Sequence, residues 1–330
     1  MDASLFTSML FATVVAGTPL IIVALGLLVN EKAGVLNLGA EGMMAMGAVA
    51  AFAVTHESGN PWLGVAAGMG AGMAMAALFG VLVLTLMANQ VASGLALAIF
   101  GVGLAAFVGK PYEAVALQTV PPIRIPFIAD LPLIGEALYN QQALVYFSWA
   151  LFWGLLWFLH RSRAGLVLRA VGESPSAAHA VGFPVIAIRY LAVAFGGAMA
   201  GLGGAFLSVF YTPLWVEGMV AGRGWIALAL VVFGSWRPGR VLLGAYVFGG
   251  VTILQLHAQG SGGLGFGLPT PTVPWPHPNT AFWGGYGGSL AIIDYDKRTT
   301  MSFVMNKMAP TTVGDLRAMM LAMEIWKVQG

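Results

Sequence analysis

The sequence contains no cysteine. That excludes disulfides, thiolate metal sites and cysteine nucleophiles, and says little about compartment. Charge is scarce as well: 8% of the 330 residues are Asp, Glu, Lys or Arg, where a soluble domain carries roughly a quarter. The formal net charge of +2 is too small to suggest a nucleic-acid partner. No Gly-x4-Gly-Lys-Ser/Thr phosphate loop occurs, so the chain is not an ATPase of that type. No cleavable signal peptide is evident, because Asp2 opens the N-terminus and the first apolar span is too long for one.

What the sequence has in quantity is apolar chain. It is 58% hydrophobic, with a mean hydropathy of +0.84. Nineteen of its charged residues lie in 1–259 and nine in 260–330, so the membrane character is concentrated in the first part. A helix crossing a bilayer core needs about 20 apolar residues. Leu5–Val29, Ala33–Val54 (with Glu41 inside it), Trp62–Met87, Val91–Gly109, Ala143–Leu159 and Tyr190–Val216 read as spans. Trp225–Gly234 and Val241–Leu256 are shorter, and Ser235–Arg240 separates them. Such a broken or re-entrant pair is tolerated where protein buries it. The fold class is therefore an all-α polytopic membrane protein with about seven or eight transmembrane or re-entrant elements. A small partial α/β tail, a β-hairpin plus a helix, follows it.

Loop charge sets the expected orientation. Residues 160–189 carry Arg161, Arg163, Arg169 and Arg189 against Glu173, and residues 110–141 carry Lys110 and Arg124 against three acids. The positive-inside rule puts 160–189 in the cytoplasm and 110–141 outside. Alternation then places 30–32, Arg237 and Arg240 inside, and the N-terminus and everything after residue 257 outside. Gly64-x3-Gly68-x3-Gly72 and Gly197-x3-Gly201 each put small residues on one helix face. Ordinary close packing explains such faces, and a sliding interface between transporter halves is the alternative.

Within 160–189, Ser174 followed by Pro175 is a helix start. Ala177, Ala178 and Ala180 continue the helix, and Gly182 ends it. A short helix on a basic loop suits docking of a partner, although arginines that only enforce topology would look the same. Glu41 is an ionisable group inside an apolar span, which is costly and usually faces protein interior or a water-filled path. It either lines a path, anchors broken backbone nearby, or bonds to amides near Gly39 and Gly42. Asn37 lies one helical turn before it, on the same face if the segment is helical.

Three stretches carry a resemblance. They are Asn30–Met44, the segment from Arg163 through Arg169, Gly172 and Glu173 to Gly182, and Gly222–Ala229 continuing to Pro238. In this order they resemble the permease subunits of ABC importers for branched-chain amino acids, simple sugars and nucleosides. The Asn37/Glu41 form is closer to the nucleoside and simple-sugar branch. The resemblance implies a transport subunit that is not an enzyme and binds no cofactor itself. ATP and Mg would be held by a separate cytoplasmic ATPase docked on Arg163, Arg169, Gly172, Glu173, Ala177, Ala178 and Gly182. Asn37, Glu41, Arg223 and Trp225 would be path or signature residues. The other implied partners are a second permease subunit (identical or not), an extracytoplasmic solute-binding protein and the bilayer of a bacterial-type plasma membrane. The family would also supply a further span after about residue 256. Its absence makes 1–259 a permease domain lacking its last helix. A channel, which would conduct without an ATPase, is a further reading of the spans.

The end of the chain has another character. Residues 260–278 are a Gly/Pro-rich junction with five prolines in Pro269–Pro278, a stiff extended linker. Leu290–Asp294 and Thr299–Met305 read as strands joined at 296–298, and Thr312–Val328 as an amphipathic helix. Residues 279–330 resemble the C-terminal end of serine β-lactamase-like hydrolases, with Trp283-Gly284-Gly285 at the last active-site motif. The reading of the chain as a membrane-anchored hydrolase needs Ser-x-x-Lys, which is absent, so that motif is expected to be vestigial and the chain a chimera. No metal site is expected.

Overall fold

The computed structural model describes residues 3–113, 115–126, 135–258, 277, 279–284, 290–303 and 320–325. Eleven helices are defined among them: α1 (Ala3–Lys32), α2 (Ala40–Ser58), α3 (Pro61–Gly80), α4 (Gln90–Gly109), α5 (Gly135–Tyr139), α6 (Ala143–Arg161), α7 (Arg163–Glu173), α8 (Pro175–Ala180), α9 (Val185–Ala205), α10 (Arg223–Phe233) and α11 (Pro238–Ala258). Five helical stretches among the described residues are long and apolar enough to cross a membrane: Phe6–Lys32, Pro61–Thr85, Gln90–Tyr112, Ala143–Arg161 and Val185–Tyr211. The second and fifth of these, expected from the sequence as Trp62–Met87 and Tyr190–Val216, both end in π-helical turns, Val81–Thr85 and Phe206–Tyr211. The chain divides into two compact units at Val251/Thr252.

The second expected span is not one helix. Residues 33–39 leave helical geometry between α1 and α2, with Gly34 at φ +80°. The cause is local. Asn37 Oδ1 accepts from Gly39 N at 3.0 Å, a side-chain turn that competes with helix. Leu36 N is satisfied by Gln90 Oε1 at 2.8 Å from α4. Asn37 and Glu41 therefore do not share a helix face, because the helix begins only at Ala40.

Contacts sort the first unit into two ends. At one end Gly172 lies against the Lys32 carbonyl and Gly34, Arg189 reaches Ala33 O, and Glu31 meets Trp236. At the other, Trp62 packs on Phe210, His56 on Tyr112, and Gln142 bonds Phe210 O. Short strands β1 (Ile123–Arg124) and β2 (Asn140–Gln141) pair antiparallel in the connection between α4 and α6.

Helices α2, α3 and α9 form the centre. The two glycine faces of the sequence meet each other here. A Cβ on Gly72 would collide with the Gly197 carbonyl and come within 2.8 Å of Gly201 Cα, and one on Gly201 would collide with the Gly68 carbonyl. Gly47 of α2 abuts Gly201 in the same way. Membrane helices gain little from hydrophobicity against lipid, so this close backbone approach supplies the packing. The faces are occupied within one chain.

The second unit contains a three-stranded antiparallel sheet in the order β3 (Thr280–Gly284), β4 (Leu290–Asp294), β5 (Thr299–Phe303). The β4–β5 hairpin follows the sequence reading, and β3 adds a strand to it. Phe282, Leu290, Ile292 and Met301 bury one face with Ala322. Buried Asp294 fixes the turn by accepting from Asp296 N and Lys297 N, and meets His277 Nδ1 at 2.6 Å. Of the expected helix Thr312–Val328, residues 320–325 are described and helical. The junction 260–276 lies outside the described residues.

Gly201 and Gly70 give a paired test. Gly201→Val should sharply lower the melting temperature and the monodisperse yield in detergent, because overpacking against backbone typically costs about 1–3 kcal/mol or more. Gly70 has nothing within 4 Å of a Cβ, and Gly70→Val should leave both readouts close to the parent.

Candidate functional site

The site is built around the break at residues 33–39 and the start of α10. Helix α10 has 11 residues and is about 16 Å long at 1.5 Å per residue. It covers about half of a ~30 Å hydrocarbon core. A helix of this length ends where water is scarce, and its first N–H groups have no partner within the helix. Glu41 supplies them. Its Oε1 accepts from Gly222 N at 2.6 Å and its Oε2 from Gly224 N at 2.7 Å. The side chain is 7% exposed. A carboxylate at a helix N-terminus also meets the positive end of the helix dipole.

Two glycines make this possible. Gly222 sits at φ +82°, turning the chain into the helix. Gly224 lies so close to Glu41 that a Cβ would come within 2.6 Å of Glu41 Cα. Of the readings open for Glu41, the hydrogen-bonded anchor finds its partners at 222–224, not at Gly39 and Gly42. A small cavity of about 30 Å³ adjoins Glu41, bordered by Val102, Ala105, Trp215 and Met219. It has room for about one water. Trp215 Nε1 is buried there without a partner among the described residues.

The other end of α10 is held to the same segment. Trp236 Nε1, just past the helix, donates to Glu31 Oε2 on the last turn of α1. The two acids of the Asn30–Met44 stretch thus grip both ends of α10. Arg223 does not join them: its Nη1 donates to Met219 O at 2.8 Å and Val220 O at 3.2 Å. Trp225 points away and is 36% exposed.

The basic segment is two helices. From the sequence only α8 is expected as a helix, in a basic loop; α7 is a second one. Ser162 Oγ caps α7 by accepting from Gly165 N at 2.9 Å, a Ser at the N-cap that the sequence displays. Helix α7 buries Leu168 and Val171. Helix α8 starts at Pro175 as expected, but Ser174 makes no side-chain cap bond. Gly182, at φ +96°, ends α8. Gly182 N bonds His179 O at 2.9 Å and Phe183 N bonds Ala178 O at 3.1 Å, the paired closure of a Schellman turn.

Arg163, Glu173, Ala177 and Gly182 are exposed, Arg169 and Gly172 half-buried, and Ala178 buried. Gly172 is the contact to the break: a Cβ there would run into the Lys32 carbonyl and come within 3.1 Å of Gly34 N. Arg189 Nε adds a bond to Ala33 O at 3.1 Å. In the sequence Arg189 reads as a topology charge; its partner, 156 residues away, leaves no local signal. Gln90, Glu31 and Trp236 were likewise not singled out. In the second unit Trp283 is exposed and Gly284 pairs with Leu290 at the end of β3. Gly285 lies outside the described residues.

Residues 9–274 match the family model described as a branched-chain amino acid transport system permease component. That match runs past the boundary at 259 read from composition and ends before β3. The chain is 46% identical over 260 residues to a putative glucose ABC transporter permease protein of Haloferax volcanii, covering 78% of this chain and 79% of that one. It is 33% identical over 257 residues to the guanosine ABC transporter permease protein of Bacillus subtilis, covering 72% and 78%. It is 32% identical over 250 residues to the nucleoside ABC transporter permease protein of Lactococcus lactis, covering 72% and 79%.

Removing the α10 anchor should be costly. Glu41→Ala leaves one buried and one part-buried amide without acceptors and should destabilise the chain by about 2–4 kcal/mol, read as a lowered melting temperature in detergent. Glu41→Gln keeps one acceptor oxygen and should fall between the parent and Ala. Trp236→Phe loses one bond at an exposed site and should cost under about 1 kcal/mol.

Proposed function

This chain belongs to the family of permease components of branched-chain amino acid transport systems, and from that premise we propose that it moves a nucleoside or a simple sugar, driven by a separate ATPase docked on α7 and α8. It is a multi-pass membrane protein and a permease subunit of an ABC transporter. The solute class is supported by the relatives, whose names specify glucose, guanosine and nucleosides, and by the form of the Asn37/Glu41 stretch.

The end bearing Lys32, Arg163, Arg169, Arg189 and Arg237 faces the cytoplasm in this reading, since basic loops are retained there. The N-terminus and the end of the chain are then extracytoplasmic, where a solute-binding protein delivers the solute. ATP and Mg belong to the ATPase, and a second permease subunit, identical or not, completes the path.

One observation carries the mechanism: residues 30–41 touch every element that has to move together. Gly172 and Arg189 press on 32–34, Glu31 holds the end of α10, and Glu41 holds its start. An ATPase shifts a permease between inward- and outward-facing states only if its nucleotide states contact the docking surface differently. A displacement of α7 then passes through Gly172 to the break, and from the break to both ends of α10. Arg169 and Glu173 present charge to the ATPase, Ala177 and Ala178 give α8 its small faces, and Gly182 closes it.

Replacing Arg169 and Glu173 together by Ala should reduce recovery of the cognate ATPase in a pull-down from detergent while membrane insertion is retained. An undiminished pull-down would refute the docking assignment. Gly172→Val should keep the ATPase bound yet abolish ATP-dependent uptake of labelled nucleoside or sugar in proteoliposomes. Normal uptake would show that the contact with 32–34 carries no coupling.

A further inference from the structure

At the basic end of the first unit, beside the proposed docking helices, is a cleft of about 470 Å³. It is lined by the cations of Lys32, Arg169 and Arg237, with His160, Leu156, Leu159 and Trp236 among the other wall residues and no carboxylate. None of Lys32, Arg169 and Arg237 forms an ion pair among the described residues. Arg169 Nε is buried without an acceptor. His160 Nδ1 is engaged with Leu156 O at 2.9 Å, so the ring borders the cleft and Lys32, Arg169 and Arg237 carry the attraction for an anion. The neighbouring cavity shares Lys32, Arg169 and Trp236 and adds Glu31 and Glu173. Glu31 Oε2 is tied to Trp236, and its Oε1 is buried without a partner among the described residues.

Three fixed cations and a buried guanidinium N–H without an acceptor form a receptor for a compact anion. A phosphate oxygen suits the arginine fork, and lysine adds a point charge. The position favours a membrane source. Leu156, Leu159 and His160 are on the last turns of α6, which crosses the membrane. Trp153 and Trp157, one turn apart on the same helix, are 65% and 63% exposed. Trp157, four residues before the end of α6, sits where tryptophans line the membrane boundary, and acyl chains can lie along α6 past Trp153 while the phosphate enters the cleft. Basic pockets between membrane helices are a recurrent means of holding anionic headgroups.

We propose that the cleft formed by Lys32, His160, Arg169 and Arg237 binds the phosphate of an anionic phospholipid from the adjacent leaflet. The site joins α1, α6, α7 and the 235–239 turn, so its occupant would brace the elements around the break. The binding does not depend on which solute is carried.

The test is native mass spectrometry of the full chain in zwitterionic detergent, titrated with phosphatidylglycerol or phosphatidylcholine. Phosphatidylglycerol should be retained preferentially. The Lys32→Gln/Arg237→Gln variant should weaken its retention about 30-fold, whereas Lys32→Arg/Arg237→Lys should preserve it, as should Arg161→Gln outside the cleft. Equal retention of the two lipids by the unaltered protein would overturn the proposal, and that comparison stands even if a variant fails to fold. Displacement of phosphatidylglycerol by millimolar inorganic phosphate would assign a soluble anion site instead. Loss of ATPase pull-down by the Gln variant, with lipid retention unchanged, would make the cleft a protein contact and overturn the lipid assignment.

Discussion

A helix that begins inside a membrane must find acceptors for its first amides, and in this protein Glu41 provides them. Gly222 N and Gly224 N both end on its carboxylate. Unpaired backbone amides are costly in an apolar surrounding, so the start of α10 is stabilised by this protein acceptor. The glycine at 224 lets the carboxylate approach and the glycine at 222 turns the chain. The position of α10 therefore depends on α2, and through α2 on the break at 33–39.

That break is the second requirement. Asn37 and Gln90 satisfy backbone groups that a continuous helix would have satisfied itself. Once the helix is interrupted, the Ala33 carbonyl is open to Arg189 and the 32–34 turn to Gly172. A straight helix through these residues would offer α7 and α9 no such contacts. The glycine-lined packing of α3 and α9, with Gly47 of α2 between them, holds the frame against which these contacts act. The basic cleft lies at the same junction and takes Lys32 from α1 and Arg169 from α7.

Much of the frame was legible in the sequence. Apart from Ala33–Val54, whose helix begins only at Ala40, the apolar stretches appear as helices close to their expected bounds, since length and hydropathy are sufficient where every backbone bond is internal. Pro175 and Gly182 mark α8 because a fixed φ and a positive φ are local properties. Helix α7 was legible too, through Ser162, but its arginines drew the reading toward an open loop. The interruption between the first two spans is expected at the polar residues 30–32, but helix α1 runs through them and the break falls at 33–39, where apart from Asn37 the residues are as apolar as the spans on either side. In the second unit β4 and β5 read as strand-like runs in the sequence, and β3 appears only through its pairing with β4.

The sequence alone determined that this is a multi-pass membrane chain with an ionisable residue at 41, a basic segment at 160–189 and a short apolar stretch near 225–233. Those are properties of composition and of neighbours in the chain. It could not determine what Glu41 holds, because Gly222 and Gly224 lie more than 180 residues away. Nor could it show that the glycines of α3 and α9 face each other, or that Gly172, Arg189 and Trp236 converge on one turn. Hydrogen bonds and backbone contacts between distant residues leave no periodicity in either partner. Only the packing of the helices brought them together.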